Sequence, residues 1–281
     1  MNRRSLGSTG ERLSVIGFGG IVVMNEDQKT ADALVAEAVE RGINYFDVAP
    51  TYGDAEERLG PALAPFRDRS FLACKTAERT AAGSRAELER SLQRLRTDRV
   101  DLYQLHNVAR MEDVDAVFAP GGAMQTLLEA REQGKVRYLG FSSHTEEAAL
   151  ALIERFPFDT ILFPVNAACW TRGHFGPRVL DMAVARGMGC LALKSLAERP
   201  WRKDEERTWS KTWYKPLDDL DKARRALAFT LSRPVTAALC PGHKELFRLA
   251  CEAYDGLALD EPGAGGDTGF GEPIFESVHT A

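Results

Sequence analysis

Eight short runs of β-branched, aromatic and aliphatic residues recur along the chain: Leu13 to Phe18, Ile43 to Asp47, Ser70 to Cys74, Val100 to Leu105, Val136 to Phe141, Thr160 to Pro164, Gly189 to Leu193 and Val235 to Leu239. Their starts lie 30, 27, 30, 36, 24, 29 and 46 residues apart. Each gap holds a helix and two loops, which is the spacing of a βα unit. The intervening segments carry a helical period. Ala31, Leu34, Val35, Ala38 and Val39 form one stripe over Gln28 to Arg41, and Gly42 stands where such a helix stops. Ser84 and Glu87 have capping-box spacing ahead of Leu88, Leu92 and Leu95. Similar stripes occupy 122–133, 145–155, 177–186, 220–232 and 244–256.

Eight strands alternating with helices can make an open doubly wound sheet or a closed (β/α)8 barrel, and 281 residues suits one barrel. The open fold's Gly-x-Gly-x-x-Gly is missing, because Gly17-Phe18-Gly19-Gly20 has the wrong spacing and runs into Ile21-Val22-Val23. The expectation is an α/β chain with a single-domain (β/α)8 TIM barrel over 1–259. A Gly-rich C-terminal tail follows over 260–281. There Gly263, Gly265, Gly266, Gly269 and Gly271 replace any apolar period, so the tail is expected to be mobile or to lie on the surface.

A net charge of −5 argues against a nucleic-acid partner, which asks for a basic balance. The longest uncharged runs, Leu13 to Asn25 and Ala116 to Leu128, are 13 residues each, too short for a membrane span. No apolar run backs the charged start Met1-Asn2-Arg3-Arg4, so a cytoplasmic address is expected. The five cysteines are odd in number and without CxxC spacing, which speaks for buried reduced thiols and against a metal site or redox dithiol.

In such a barrel the loops after the strands' C-terminal ends build the active site. Those ends offer Asp47 and Tyr52, then Lys75, then His106. Singly each has an ordinary structural reading. Together they make a proton-transfer device. Lys75 needs a carboxylate and Asp47 is the neighbouring one; an ammonium near Tyr52 favours the phenolate and makes the phenol a usable acid; His106 can orient a carbonyl oxygen. No nucleophile is needed if the bond-making species is a hydride, which requires an external carrier.

Asp47-x4-Tyr52, Lys75 and His106 resemble, in order and spacing, the aldo-keto reductase superfamily. The likeness runs from Leu6-Gly7-Ser8-Thr9-Gly10 and Ile16-Gly17-Phe18-Gly19 to Pro241-Gly242. It implies an NAD(P)H-dependent oxidoreductase acting on a small carbonyl or sugar substrate, with Tyr52 as general acid and Lys75, Asp47 and His106 as catalytic residues. For the cofactor, NADPH/NADP with NADH possible, it implies contacts from Gly19, Gly20, Ser142, Ser143, Asn166, Lys194, Ser195, Leu196, Gly242, His243 and Lys244. Arg248 stands where the family often has a 2′-phosphate-binding Arg. Three positions depart from the family: Ser143 replaces an Asn, Leu162 a Gln, and Lys194 a Tyr that stacks on the nicotinamide. These departures leave two alternatives standing, a nicotinamide-binding regulatory or sensor module and a redox-neutral sugar-modifying enzyme with tightly held cofactor. The segment 198–216, with Trp201, Trp209 and Trp213, is expected to cover the site or to pack on the barrel as an insertion.

Overall fold

In the computed structural model, which describes residues 1–255, 257 and 266–278, the expected barrel closes. A hairpin, β1 (Arg3–Ser5) and β2 (Arg12–Ser14), precedes the barrel strands β3 (Ile16–Gly19), β4 (Tyr45–Asp47), β5 (Phe71–Thr76), β6 (Val100–Leu105), β7 (Val136–Ser142), β8 (Thr160–Pro164) and β9 (Gly189–Leu193). A short antiparallel ribbon, β10 (Ala197–Pro200) and β11 (Tyr214–Pro216), intervenes before β12 (Ala237–Leu239). All eight barrel pairings are parallel, and β12 closes the ring by pairing with both β3 and β9. Around them lie α1 (Gln28–Glu40), α2 (Ala55–Leu63), α3 (Ala81–Arg94), α4 (Met111–Phe118), α5 (Ala123–Glu132), α6 (Glu146–Arg155), α7 (Ala167–Thr171), α8 (Pro177–Ala185), α9 (Leu220–Leu231) and α10 (Lys244–Asp255).

The first expected strand is in fact two. Ser14 donates to the Ile16 carbonyl at 2.7 Å and its N–H donates to Asn44 Oδ1 at 2.7 Å, turning the chain from hairpin to barrel. The hairpin then plugs the N-terminal end, where Leu6 and Leu13 join Tyr45, Phe71, Leu102, Leu162 and Leu191 in the barrel interior. Gly17 is required inside that ring, since a Cβ there would stand 2.5 Å from the Tyr45 ring. The capping box is also corrected. Thr80 caps α3 by accepting from the Gly83 N–H at 3.1 Å, while Glu87 turns inward to accept from Thr76 Oγ1 at 2.7 Å and the Ala77 N–H at 2.8 Å. Capping-box spacing marks a start only where no earlier Ser or Thr reaches the first turn.

All five cysteines are buried free thiols. Among the described residues no helix is long and apolar enough to cross a membrane, and no cluster of His, Cys, Asp and Glu could hold a metal ion. The boundary at 259/260 and the glycines 263 and 265 lie outside the described residues. Residues 266–278 lie on the surface of the barrel and are pinned there: Arg172 donates to the Phe270 carbonyl at 2.7 Å, the Glu272 N–H to the Glu198 carbonyl at 2.7 Å, and the Ser277 N–H to the Gly173 carbonyl at 2.8 Å.

Candidate active site

Period-two alternation puts Tyr45 and Asp47 of β4, Ala73 and Lys75 of β5 and Gln104 of β6 on the inner face. Register then sets Lys75 beside Gln104 and Asp47 beside Ala73. Lys75 and Asp47, 1% and 2% exposed, form a buried ion pair, and Lys75 also donates to the Val48 carbonyl at 3.2 Å. Asp47 is held from behind by Gln104 Nε2 at 3.0 Å and the Tyr45 hydroxyl at 3.2 Å. Sequence reading missed both supports, although Tyr45 lies two residues before Asp47 on the same strand face and Gln104 two residues before His106, just past the end of its strand. They satisfy a carboxylate whose burial otherwise carries a large desolvation cost.

Above this pair a cavity of about 500 Å3 opens at the C-terminal end of the barrel. Asp47, Tyr52, Lys75 and His106 all line it. The Lys75 ammonium lies 5.2 Å from the centre of the Tyr52 ring, and the rings of Tyr52 and His106 meet edge to face at 6.0 Å. Burial alone would lower the Lys75 ammonium, but Asp47 and Tyr52 more than offset it and leave it above its ordinary value. For Tyr52, burial outweighs the opposing field of Lys75, so the phenol sits above its usual value rather than below it. The expected acidification is therefore a partial offset. The group is a protonated donor before any ligand arrives.

Burial, reinforced by the charges of Lys75, Arg79 and Lys194, pushes His106 down to about 3. The same burial, with Lys194 beside it, takes His144 down to about 2. Both rings are neutral at pH 7, and a neutral His106 keeps one N–H for a carbonyl oxygen. A consequence for stability follows. An unfolded histidine takes up a proton below about pH 6.5 while these two do not, so stability present above that pH is lost as the pH falls toward about 3. The urea midpoint is expected to drop measurably between about pH 7 and pH 5, before most carboxylates titrate. In the double variant His106→Gln/His144→Gln that early drop should shrink, and an unchanged slope contradicts the assignment.

The cofactor residues expected from sequence divide into two groups. Gly19, Ser142, Lys194 and Gly242 line the cavity. Ser143, Asn166, Ser195 and Leu196 are buried and do not line it, nor does Gly20. Ser143 Oγ donates to the Thr145 carbonyl at 3.0 Å, and Asn166 Oδ1 caps α7 through the Cys169 N–H at 2.9 Å. His243 Nε2 accepts from the Lys211 N–H at 2.9 Å, and Lys244 reaches Glu26 at 3.2 Å. Arg248 makes a two-pronged pair with Glu37, Nε to Oε2 at 3.0 Å and Nη2 to Oε2 at 2.9 Å.

What remains still fits a phosphate-bearing dinucleotide. A Cβ on Gly242 would meet Lys211 Cβ at 3.0 Å and Ile21 Cγ2 at 3.1 Å, so this stretch of wall stays bare backbone just ahead of the α10 N-terminus, where first-turn N–H groups suit an anion. Ser142 Oγ accepts from the Asn107 N–H at 2.8 Å and keeps its own proton for a ligand carbonyl. The 198–216 segment supplies Lys211, Thr212, Trp213 and Tyr214 to the cavity wall, so part of it walls the site, while Trp201 packs back on Thr212 and Trp209 on His243.

The family model for the Aldo/keto reductase family matches residues 15–251. The chain belongs to that family. Among the relatives, an uncharacterized oxidoreductase of Bacillus subtilis, YqkF, is 26% identical over 279 residues, covering 89% of each chain. A 6-dehydroglucose reductase of Novosphingobium aromaticivorans is 30% identical over 219 residues, 69% of this chain and 68% of that protein. The solved structure of a protein titled a putative aldo-keto reductase, from Pseudomonas aeruginosa, superposes with a TM-score of 0.71 at 27% identity, over 90% of this chain and 95% of that one. As an aldo-keto reductase the chain is an oxidoreductase, and family members use nicotinamide cofactors.

Proposed function

We propose that this protein reduces an aldehyde or ketone to an alcohol, or runs the reverse oxidation, with NADPH and with Tyr52 as the proton donor. The observation that carries the reading is the buried Asp47–Lys75 pair beneath Tyr52, with the neutral His106 ring across the same cavity. NADPH, when bound, supplies hydride to the carbonyl carbon. His106 donates its N–H to the carbonyl oxygen and holds it toward Tyr52. Tyr52 gives its proton to that oxygen as negative charge builds, and Lys75 stabilises the phenolate left behind. Asp47, fixed by Tyr45 and Gln104, keeps Lys75 protonated and in place. Ser142 and the Gly242 backbone are the cofactor contacts we propose first. Small sugars or aldehydes are the substrate class, in keeping with the name of the 6-dehydroglucose reductase relative.

The test is NADPH consumption against a panel of aldehydes, ketones and sugars. Turnover of freely exchanging NADPH supports the reading. Cofactor that copurifies and does not exchange during turnover points to redox-neutral sugar chemistry instead.

NADPH is expected to bind more tightly than NADH, and Arg248→Ala to narrow the gap, since a charge-assisted contact is worth about 1.5–3 kcal/mol, roughly tenfold or more in affinity. Because Glu37 already holds Arg248, a 2′-phosphate has to compete with it. Glu37→Gln should therefore widen the preference. Equal affinities in the wild type, or a gap indifferent to both substitutions, refute the 2′-phosphate role.

A further inference from the structure

Among the described residues four cations line the cavity, and three of them face carboxylates: Lys75 faces Asp47, Arg79 faces Asp113 at 3.5 Å, and Lys211 faces Glu26 at 3.2 Å. Lys194, 9% exposed, has no carboxylate partner among the described residues. Its ammonium lies 2.7 Å from His144 Nε2. His144 Nδ1 lies 2.6 Å from Asn107 Oδ1, an oxygen that only accepts, so the ring proton is on Nδ1 and Nε2 receives the bond from Lys194. The faces of Trp213 and Phe275 stand 5.3 and 5.8 Å from the ammonium. Asn107 and Lys194 both hold left-handed backbone, with φ of 50° and 61°. Such strain persists where surrounding structure imposes it, and it gathers at ligand sites. His144 uses one of the three ammonium protons, leaving two.

We propose that Lys194 is the anion-binding group of the substrate pocket, so that the carbonyl compound handled here is an acid, carrying a carboxylate or phosphate besides its aldehyde or ketone. The inference rests on the reductase reading for the carbonyl and on Lys194 alone for the acid. A buried charge without a partner is costly, and a ligand anion removes that cost on binding. A neutral carbonyl compound leaves it in place.

The groups facing Lys194 leave its charge to respond to the ligand. His144 and His106 are neutral, burial pushes the Cys169 thiol up, and Trp213, Phe275 and Asn166 carry no charge. Among the described residues, Lys75 is the one second cation that acts on it. Burial first, opposed by Cys169 and reinforced by Lys75, brings the Lys194 ammonium down to about 7. An arriving anion raises it again. Affinity for an acid should thus be level below about pH 7 and fall by up to about tenfold per unit above it, until the pKa of the complex is passed.

The experiment titrates the NADPH-bound protein, in which an alcohol cannot react, with 4-(hydroxymethyl)benzoate, 4-(hydroxymethyl)phenyl phosphate and the neutral 4-(hydroxymethyl)benzamide, by calorimetry. The expected result is at least about a tenfold preference for one or both anions over the amide at about pH 6. That ratio should collapse toward one in Lys194→Gln, and in the wild type at about pH 8.5, which needs no variant. The anion with the larger ratio names the acid. No measurable anion binding, no preference in the wild type, or a preference that survives both the substitution and high pH overturns the proposal. Loss of NADPH affinity in Lys194→Gln with the ratio intact also overturns it and assigns the charge to the cofactor's phosphates. Because the measurement reads binding alone, a failure of carbonyl reduction does not imitate any of these outcomes.

Discussion

Replacing Lys75 with methionine is expected to lower carbonyl reduction by roughly 10²–10⁴-fold, the range of general acid catalysis. With the ammonium gone, the remaining influences on Tyr52, burial foremost, then the Asp47 charge and Cys74, all hold its proton more tightly. The substitution also strands Asp47, 2% exposed, with only the Tyr45 and Gln104 donors. Breaking a buried pair costs about 3–5 kcal/mol, so this variant should be markedly less stable. The double variant Asp47→Asn/Lys75→Met separates the two effects. It removes the stranded charge and should recover much of the stability, read as the denaturant midpoint, while single-turnover reduction stays low. A Lys75→Met enzyme retaining more than about a tenth of wild-type turnover contradicts the proton-transfer role.

Tyr52→Phe should leave NADPH binding nearly unchanged and collapse carbonyl reduction by a comparable factor. The substitution keeps the ring, its edge-to-face contact with His106 and its position over Lys75, and removes only the hydroxyl. Unlike Lys75→Met it strands no charge, so its stability should stay close to that of the wild type. The readouts are nicotinamide fluorescence for binding and the absorbance decay of bound NADPH after an aldehyde is added. Wild-type protein that binds NADPH but transfers no hydride to any of a broad carbonyl panel, indistinguishable from Tyr52→Phe, moves the weight to a regulatory module that registers the nicotinamide state.

The barrel was legible because β-prone runs about thirty residues apart leave few topologies, and Asp47, Tyr52, Lys75 and His106 were legible because a strand end in a barrel is a stated place. Partners chosen across the fold were not. Arg248 and Glu37 are 211 residues apart, and nothing local to either announces that one neutralises the other. His144 and Lys194 meet across 50 residues through two loops. Burial reverses the expectation for Tyr52, because the desolvation of a phenol depends on what packs above it, which neighbouring residues in the chain do not disclose. The Ser84–Glu87 spacing misled because Thr80 stands four residues before Ser84 and reaches the helix start first.

Phe275 stacks on His144 at 5.5 Å and on Phe175 at 5.2 Å and meets the Trp213 ring edge-on at 5.6 Å, yet it is not itself on the cavity wall. The last described stretch of chain therefore braces two wall residues from the outside while contributing no strand to the barrel. Substrate preference and foldability are in that respect separately mutable. A change at Phe275 can re-aim His144 and Trp213 and alter the ring face beside the Lys194 ammonium without altering a barrel strand, which makes this short stretch a place where selection, natural or in the laboratory, can alter what the enzyme accepts at little risk to its scaffold.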